Sequence, residues 1–264
     1  MKIAVLGCGN MATPIVEKMY ESNIDLQFFT YTPSETRAII LANKVKGEAI
    51  CELSNFPKVD YCFIACKPQQ FEALVRQMPE SLKSVDTISI MAGIPVSRLT
   101  KELGHDRVIR VMPNTPIMLG AGISLIYGQV PNSDKFRIQI KNWFDLCGLT
   151  VDVKTEKEFD ELTTISGSGP AYIFNFARGY FSKLQSLGIE NDTARKIVNS
   201  MFSGASLLME NDTSSLINLM NNVTSKGGVT ESALAVLNQD EALLKLISTS
   251  IDAAIKRSDE LSLL

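Results

Sequence analysis

The sequence predicts an α/β protein: a doubly wound, parallel sheet over residues 1–154, then an all-helical domain over residues 155–264. Three observations carry this. Through the first 150 residues, short β-branched or aromatic runs alternate with amphipathic helical stretches. A glycine-rich turn follows the first of those runs. Past about residue 155 the strand signals stop and only helical punctuation continues.

In chain order, the predicted strands are Lys2–Leu6, Leu26–Thr30, Tyr61–Cys66, Thr87–Met91, Val108–Met112, Ile123–Tyr127 and Thr150–Val153. They are nearly continuous apolar runs, as expected of strands covered on both faces of a parallel sheet. The helices between them are Ala12–Ser22, Glu35–Asn43, Gln70–Met78, Val96–Leu103 and Ser133–Leu146. In the second domain a helix led by Pro170 ends at Gly188, since proline is preorganised for a first turn and glycine for a last. Thr193–Met209 follows with Asp192 as its expected cap, then Ser215–Asn222, Glu231–Leu237 and Glu241–Leu261. Runs such as Ala171-Tyr172-Ile173-Phe174 and Leu243-Leu244-Lys245-Leu246-Ile247 are apolar on more than one face. So small a helical domain cannot cover that surface alone, which predicts a dimer interface.

Composition removes several classes of function. Hydrophobic residues make up 45% and charged residues 21%, the balance of a soluble globular chain. A net charge of −3 predicts neither a nucleic-acid groove nor an anionic membrane surface. No apolar run approaches a membrane span, and the opening MKIAVLG reads as a strand rather than a signal peptide, which predicts a cytoplasmic protein. Five cysteines without a CxxC pair, and a single histidine, His105, leave no ligand set for a metal. Cys62 and Cys66 sit in the apolar run Tyr61–Cys66 and are expected to pack in the core. His105, in Gly104-His105-Asp106-Arg107, is expected in an exposed turn, so catalysis must proceed without a histidine.

Gly7-Cys8-Gly9-Asn10-Met11-Ala12 lies between the first strand and the first helix, and the residue sizes suit a Rossmann-type dinucleotide site. Gly7 allows the tight turn, Gly9 lets the backbone approach a pyrophosphate, and Ala12 lets helix and strand pack closely. The amides of Asn10 and Met11 then face phosphate charge at the helix start. An ordinary glycine-rich βα turn is the alternative. At the end of the second strand, where an NAD site usually carries a carboxylate, the chain reads Thr30-Tyr31-Thr32-Pro33-Ser34-Glu35-Thr36-Arg37. Thr32, Ser34 and Arg37 suit a 2′-phosphate, so NADPH is expected, with NADH as the alternative. Three further loops end strands on the ligand side of such a sheet: Ala65-Cys66-Lys67-Pro68-Gln69, Ala92-Gly93-Ile94, and Met112-Pro113-Asn114-Thr115-Pro116. In the last, two prolines stiffen a turn that presents one amide and one hydroxyl.

The segments MAGI (from Met91), RVMPNTP (from Arg110), SGSGPAY (from Ser166) and VTSKGGVTESALAVLN (from Val223) occur in the order seen in pyrroline-5-carboxylate reductases, and the whole chain resembles that family. Lys226 and Val229 depart from the TSPGGTT-like form of the last loop, the Asn-Arg pair frequent after the second strand is absent, and Glu52 stands where many relatives have asparagine near the ribose. The resemblance implies hydride transfer from NAD(P)H to the imine carbon of Δ1-pyrroline-5-carboxylate, giving L-proline. It also implies substrate-binding residues Ser225, Gly227, Gly228 and Thr230, with Thr230 hydrogen-bonding the ring nitrogen, and an all-α domain that dimerises or assembles further. The physics of the loop agrees: amides and hydroxyls at a helix start suit a small carboxylate, though a plain helix cap fits the same residues. The nicotinamide is expected over Met112-Pro113-Asn114, with Ala65, Lys67, Pro68, Ala92 and Gly93 lining the cofactor's path.

Rivals are a reductase of a related cyclic imine, a β-hydroxyacid-type dehydrogenase, and a non-catalytic nucleotide-binding redox sensor. A dehydrogenase of that type should carry a lysine in Gly167–Asn175, which has none. A sensor should have lost the Ser225–Thr230 loop.

Overall fold

The computed structural model describes residues 1–22 and 25–262. The chain forms two compact units, one of Met1–Pro170 with the segment from Ile255, the other of Ala171–Ala254.

In the first unit the strands are β1 (Lys2–Leu6), β2 (Gln27–Tyr31), β3 (Glu48–Ala49), β4 (Tyr61–Ile64), β5 (Asp86–Ser89), β6 (Val108–Pro113), β7 (Gly122–Tyr127) and β8 (Gly148–Asp152). They form one sheet in the order β3-β2-β1-β4-β5-β6-β7-β8. The helices are α1 (Ala12–Glu21), α2 (Thr36–Lys44), α3 (Phe71–Gln77), α4 (Glu80–Lys83), α5 (Val96–Leu103), α6 (Lys135–Asp145) and α7 (Glu156–Ser166).

Alternation along β1 shows how both faces are covered. Ile3 and Val5 join a core with Ile15 and Val16 of α1, Leu41 of α2, and Phe136, Trp143 and Phe144 of α6. Ala4 and Leu6 join the opposite core with Phe71 and Leu74 of α3, Leu82 of α4 and Leu99 of α5. Tyr61 of β4 is stacked on Phe136 at 5.7 Å and lies edge-on to Trp143 at 5.2 Å.

The expectation of a parallel sheet fails at one place. β7 runs antiparallel to β6. Only residues 114–121 separate these strands, whereas a parallel crossover needs about a dozen or more. β8, reached through α6, is parallel to β7 again. The two-residue β3 carries too little pattern to be foreseen.

α4 and α7 are helices beyond those that the sequence predicts, although for α7 Thr155 and Glu158 form the start of a capping pattern. The Thr155 hydroxyl accepts the Glu158 N–H at 3.1 Å, and the Glu158 carboxylate takes the Lys154 N–H at 3.0 Å. Phe159 of α7 is 1% exposed and packs with Leu125 and Val153, so α7 belongs to the sheet-bearing unit.

The remaining helices are α8 (Gly169–Ser186), α9 (Asn191–Asn211), α10 (Leu216–Asn222), α11 (Val229–Leu237) and α12 (Ala242–Ser262). Gly188 follows α8 in the left-handed region at φ 79°. α9 begins before the residue expected to cap it: Glu190 takes the cap position and Asp192 falls in the first turn, where its charge meets the helix dipole. Phe176, Tyr180 and Phe202 form an edge-to-face cluster. Even so, α8, α10 and α11 bury no residue, and α9 buries only Ala194 and Val198.

Candidate functional site

At the carboxyl ends of β1, β2, β4 and β5 lies a cleft of about 950 Å³. Its floor is the turn into α1. Gly7 has φ 109° and donates its N–H to the Tyr31 carbonyl at 2.9 Å. A Cβ there would lie 2.5 Å from the Ala65 carbonyl carbon, so only glycine lets β1 and β4 approach so closely. Gly9 differs: nothing lies within 4 Å of where its Cβ would stand, which leaves open space above the backbone. Asn10, Met11 and Ala12 line this space at the start of α1, where the Thr13 N–H donates to the Gly9 carbonyl at 3.0 Å.

Of the residues expected to hold the cofactor, Gly7, Gly9, Asn10, Met11, Thr32, Ser34, Ala65, Lys67, Pro68 and Ala92 line the cleft. Arg37 joins them from α2. Gly93, Met112, Pro113 and Asn114 are not part of the lining, which ends at Ala92 on the β6 side. Gly93 continues that loop in the left-handed region at φ 71° with open space around it. The Met112–Asn114 turn ends the next strand, β6. Glu52 is exposed and does not line the cleft, while its neighbour Leu53 does. Gln69, Gln70, Ala73 and Gln77 line the outer wall. They follow Pro68 along one helical surface, a placement visible only once α3 is docked.

The cleft's residues fit a dinucleotide. The Thr32 hydroxyl is buried with no hydrogen-bond partner, beside the exposed Ser34 and Arg37, and no carboxylate ends β2. A group with acceptor oxygens would answer all three side chains.

The thiols here are not nucleophiles. Burial pushes Cys8 up to about 12 and Cys66 up to about 11, so both stay protonated at neutral pH. Cys62 is buried as expected; Cys66 is half-buried, packed against the same core and also lining the cleft, with its sulfur 3.6 Å from that of Met91. His105 is half-buried rather than exposed. Its Nδ1 accepts the Arg107 N–H at 3.2 Å, and burial lowers its pKa. Among the described residues no group of three or more His, Cys, Asp or Glu is arranged to hold a metal ion.

Asn114 is 6% exposed, and both ends of its amide are engaged. Oδ1 accepts the Ile123 N–H at 2.8 Å, and Nδ2 donates to the Ser166 carbonyl at 2.9 Å.

In the second unit, Ser225, Gly227 and Gly228 form a turn at the head of α11, with Gly227 at φ 71°. The amides expected to receive a carboxylate are already matched. Gly227 donates to Glu231 Oε2 at 2.7 Å and Gly228 to the Ser225 carbonyl at 3.0 Å. The reason is local: a glutamate in a helix's first turn reaches back to amides that have no helical acceptor. Thr230 is half-buried in that first turn and does not cap α11, whose cap position is Gly228.

Residues 2–93 match the family described as NADP oxidoreductase, coenzyme F420-dependent, and residues 156–261 match the pyrroline-5-carboxylate reductase dimerisation family. The pyrroline-5-carboxylate reductase of Staphylococcus aureus (strain COL) is 31% identical over 268 residues, covering 99% of this chain and 98% of its own. The solved pyrroline-5-carboxylate reductase of Coxiella burnetii is similar at a TM-score of 0.86 and 26% identity, covering 98% of this chain and 97% of the other. Pyrroline carboxylate reductase of Plasmodium falciparum, solved with NADP bound, shares the fold at a TM-score of 0.84 and 23% identity, covering 99% of this chain and 98% of the other.

Proposed function

The chain belongs to the pyrroline-5-carboxylate reductase family, and from that premise we propose that it reduces Δ1-pyrroline-5-carboxylate to L-proline with NADPH as the hydride donor. The observation that carries the nucleotide half is the cleft over the Gly7–Ala12 turn, with unpaired Thr32, Ser34 and Arg37 where a 2′-phosphate would sit. The match of residues 2–93 to an NADP oxidoreductase family supports the same cofactor.

When bound, NADPH supplies a hydride. The imine carbon gains that hydride and the ring nitrogen keeps a proton, so C=N becomes CH–NH and the nicotinamide is left oxidised. A protonated imine is already electrophilic, so this chain's residues need chiefly to orient it, a contribution worth up to about 7–11 kcal/mol in favourable cases. The Met112–Asn114 turn offers a rigid seat for the ring, since Pro113 lies within it and Pro113 and Pro116 bracket Asn114-Thr115. The turn at Ser225–Gly228 would take the substrate carboxylate, which replaces the Glu231 carboxylate on the Gly227 amide: one anion exchanged for another. Thr230 hydrogen-bonds the ring nitrogen. The apolar, largely unburied faces of α8 to α12 support assembly into a homodimer or higher homo-oligomer, as does the match of residues 156–261 to a dimerisation family. We place the protein in the cytoplasm, a reading supported by five unpaired cysteines, Cys51 among them exposed.

NADPH oxidation with pyrroline-5-carboxylate, run against NADH and the six-membered imine, tests this reading. Fast turnover of the five-membered substrate is expected, and none with either imine would sink it. Thr230→Ala is expected to lower kcat by about 10-fold or more, and unchanged kinetics would remove Thr230 from the reaction. Arg37→Ala is expected to raise the KM for NADPH by about 10-fold, the worth of a charge-assisted hydrogen bond, while the KM for NADH hardly moves.

A further inference from the structure

Two side chains from β6 and the residue after it hold α7 at both ends. Arg110, 2% exposed within an otherwise apolar strand, lies 2.5 Å from Glu156 Oε1 in the first turn of α7 and 3.2 Å from Asp160 one turn on. Its guanidinium also stacks over Phe159 at 4.4 Å. Asn114 reaches the other end of α7 through the Ser166 carbonyl, and it pins β7 through the Ile123 N–H. The amide's orientation follows from its partners, because an N–H can only donate and a carbonyl can only accept. Glu156 Oε1 additionally takes the N–H of Val96 at 2.7 Å, at the start of α5 and just past the Ala92-Gly93-Ile94 loop. α7 is therefore tied to the loops that end both β5 and β6.

The sequence suggested that Asn114 presents its amide to the cofactor. The geometry points elsewhere. We propose that Asn114 is a positioning residue: its side chain fixes the Met112–Asn114 turn between β7 and the last turn of α7, and so sets where the nicotinamide ring rests without contacting it. This rests on the hydride-transfer reading above. Only an uncharged planar group with a donor at one end and an acceptor at the other satisfies both main-chain partners. Hydride transfer is sensitive to such placement, since an error of about 1 Å can cost about 100-fold.

Asn114→Asp separates the two bonds. It keeps an acceptor for Ile123 but sets a carboxylate against the Ser166 carbonyl. In the full-length protein, kcat is expected to fall about 10- to 100-fold while the NADPH Kd, read by nucleotide fluorescence, stays within about 2-fold. The primary isotope effect with NADPH deuterated at the transferred position should grow, because the transfer step becomes more limiting. Hydrogen exchange should quicken in the segment around Ser166, while the Ile123 amide stays protected. Three results would overturn the proposal: an NADPH Kd that weakens in step with kcat, a lower kcat with unchanged isotope effect and exchange, or unchanged kinetics. Asn114→Ser, uncharged and too short for either bond, gives the same comparison if the aspartate variant does not fold, with Ile123 exchange then also faster. A wild-type protein inactive on both imines would sink the reaction reading instead, and the exchange experiment would still report on the clamp.

Discussion

Gly7→Ala is expected to weaken NADPH binding at least ~100-fold and to destabilise the fold by about 3 kcal/mol or more. Two penalties add. At φ 109° a side chain is strained whatever the space around it, and here the new Cβ would press on the Ala65 carbonyl and the Cys66 nitrogen at 2.5–2.6 Å. Those atoms are backbone at the end of β4, so relief requires the β1 and β4 ends to part, and the turn into α1 moves with them. Nucleotide fluorescence titration and urea denaturation measure the two effects. Gly9→Ala is the control. With nothing within 4 Å and no positive φ at that position, its stability should hardly change, but the methyl stands where a pyrophosphate must approach, so binding alone should suffer. Equal behaviour of the two variants in both assays would mean that the turn does not work as described.

The second large effect is expected of Arg110→Ala: a loss of about 3–4 kcal/mol, seen as a lower urea midpoint. Most of it comes from emptying a buried site and losing the stacking on Phe159. The charge contribution is smaller, about 1 kcal/mol or less, because Glu156 and Asp160 keep 27% and 38% of their side-chain surface in water. The sign of its pH dependence follows from Asp160. Burial is the main cause of that carboxyl's raised pKa, and Glu156 and Asp259 add to it while Arg110 opposes it. Without Arg110 the folded protein holds a proton that the unfolded chain has already released. The variant's deficit should then be largest near pH 7 and shrink as the pH falls toward about 4. A deficit that is flat over that range would mean the carboxylates are fully hydrated and Arg110 acts through packing alone.

Much of the candidate nucleotide cleft was legible because its requirements are local. A glycine at an unusual φ, a small residue where helix meets strand, and a strand end without a carboxylate can each be read within a few residues, and ten of the expected cofactor residues do line one cleft. The short connection between β6 and β7 also carried its own message: residues 114–121 are too few for a parallel crossover, whatever the strands' composition. Thr155 and Glu158 likewise announce α7 to a reader looking for capping patterns. Asn114 and Glu231 are different. An amide beside prolines and a glutamate in a helix's first turn look available for ligands, and only their partners show that each is already engaged.

By itself, the amino-acid sequence determined most of the strands and helices of the α/β region, the glycine-rich turn and the apolar helical faces. These depend on backbone dihedrals, side-chain periodicity and neighbours one helical turn away. Tertiary structure alone decided that Arg110 is buried against α7, that Asn114 joins β7 to Ser166, and that Cys66, packed against the core, also lines the cleft. Those pairings join residues 46 and 52 positions apart. A buried polar group must find its partner wherever packing brings one, and no local pattern states where that will be.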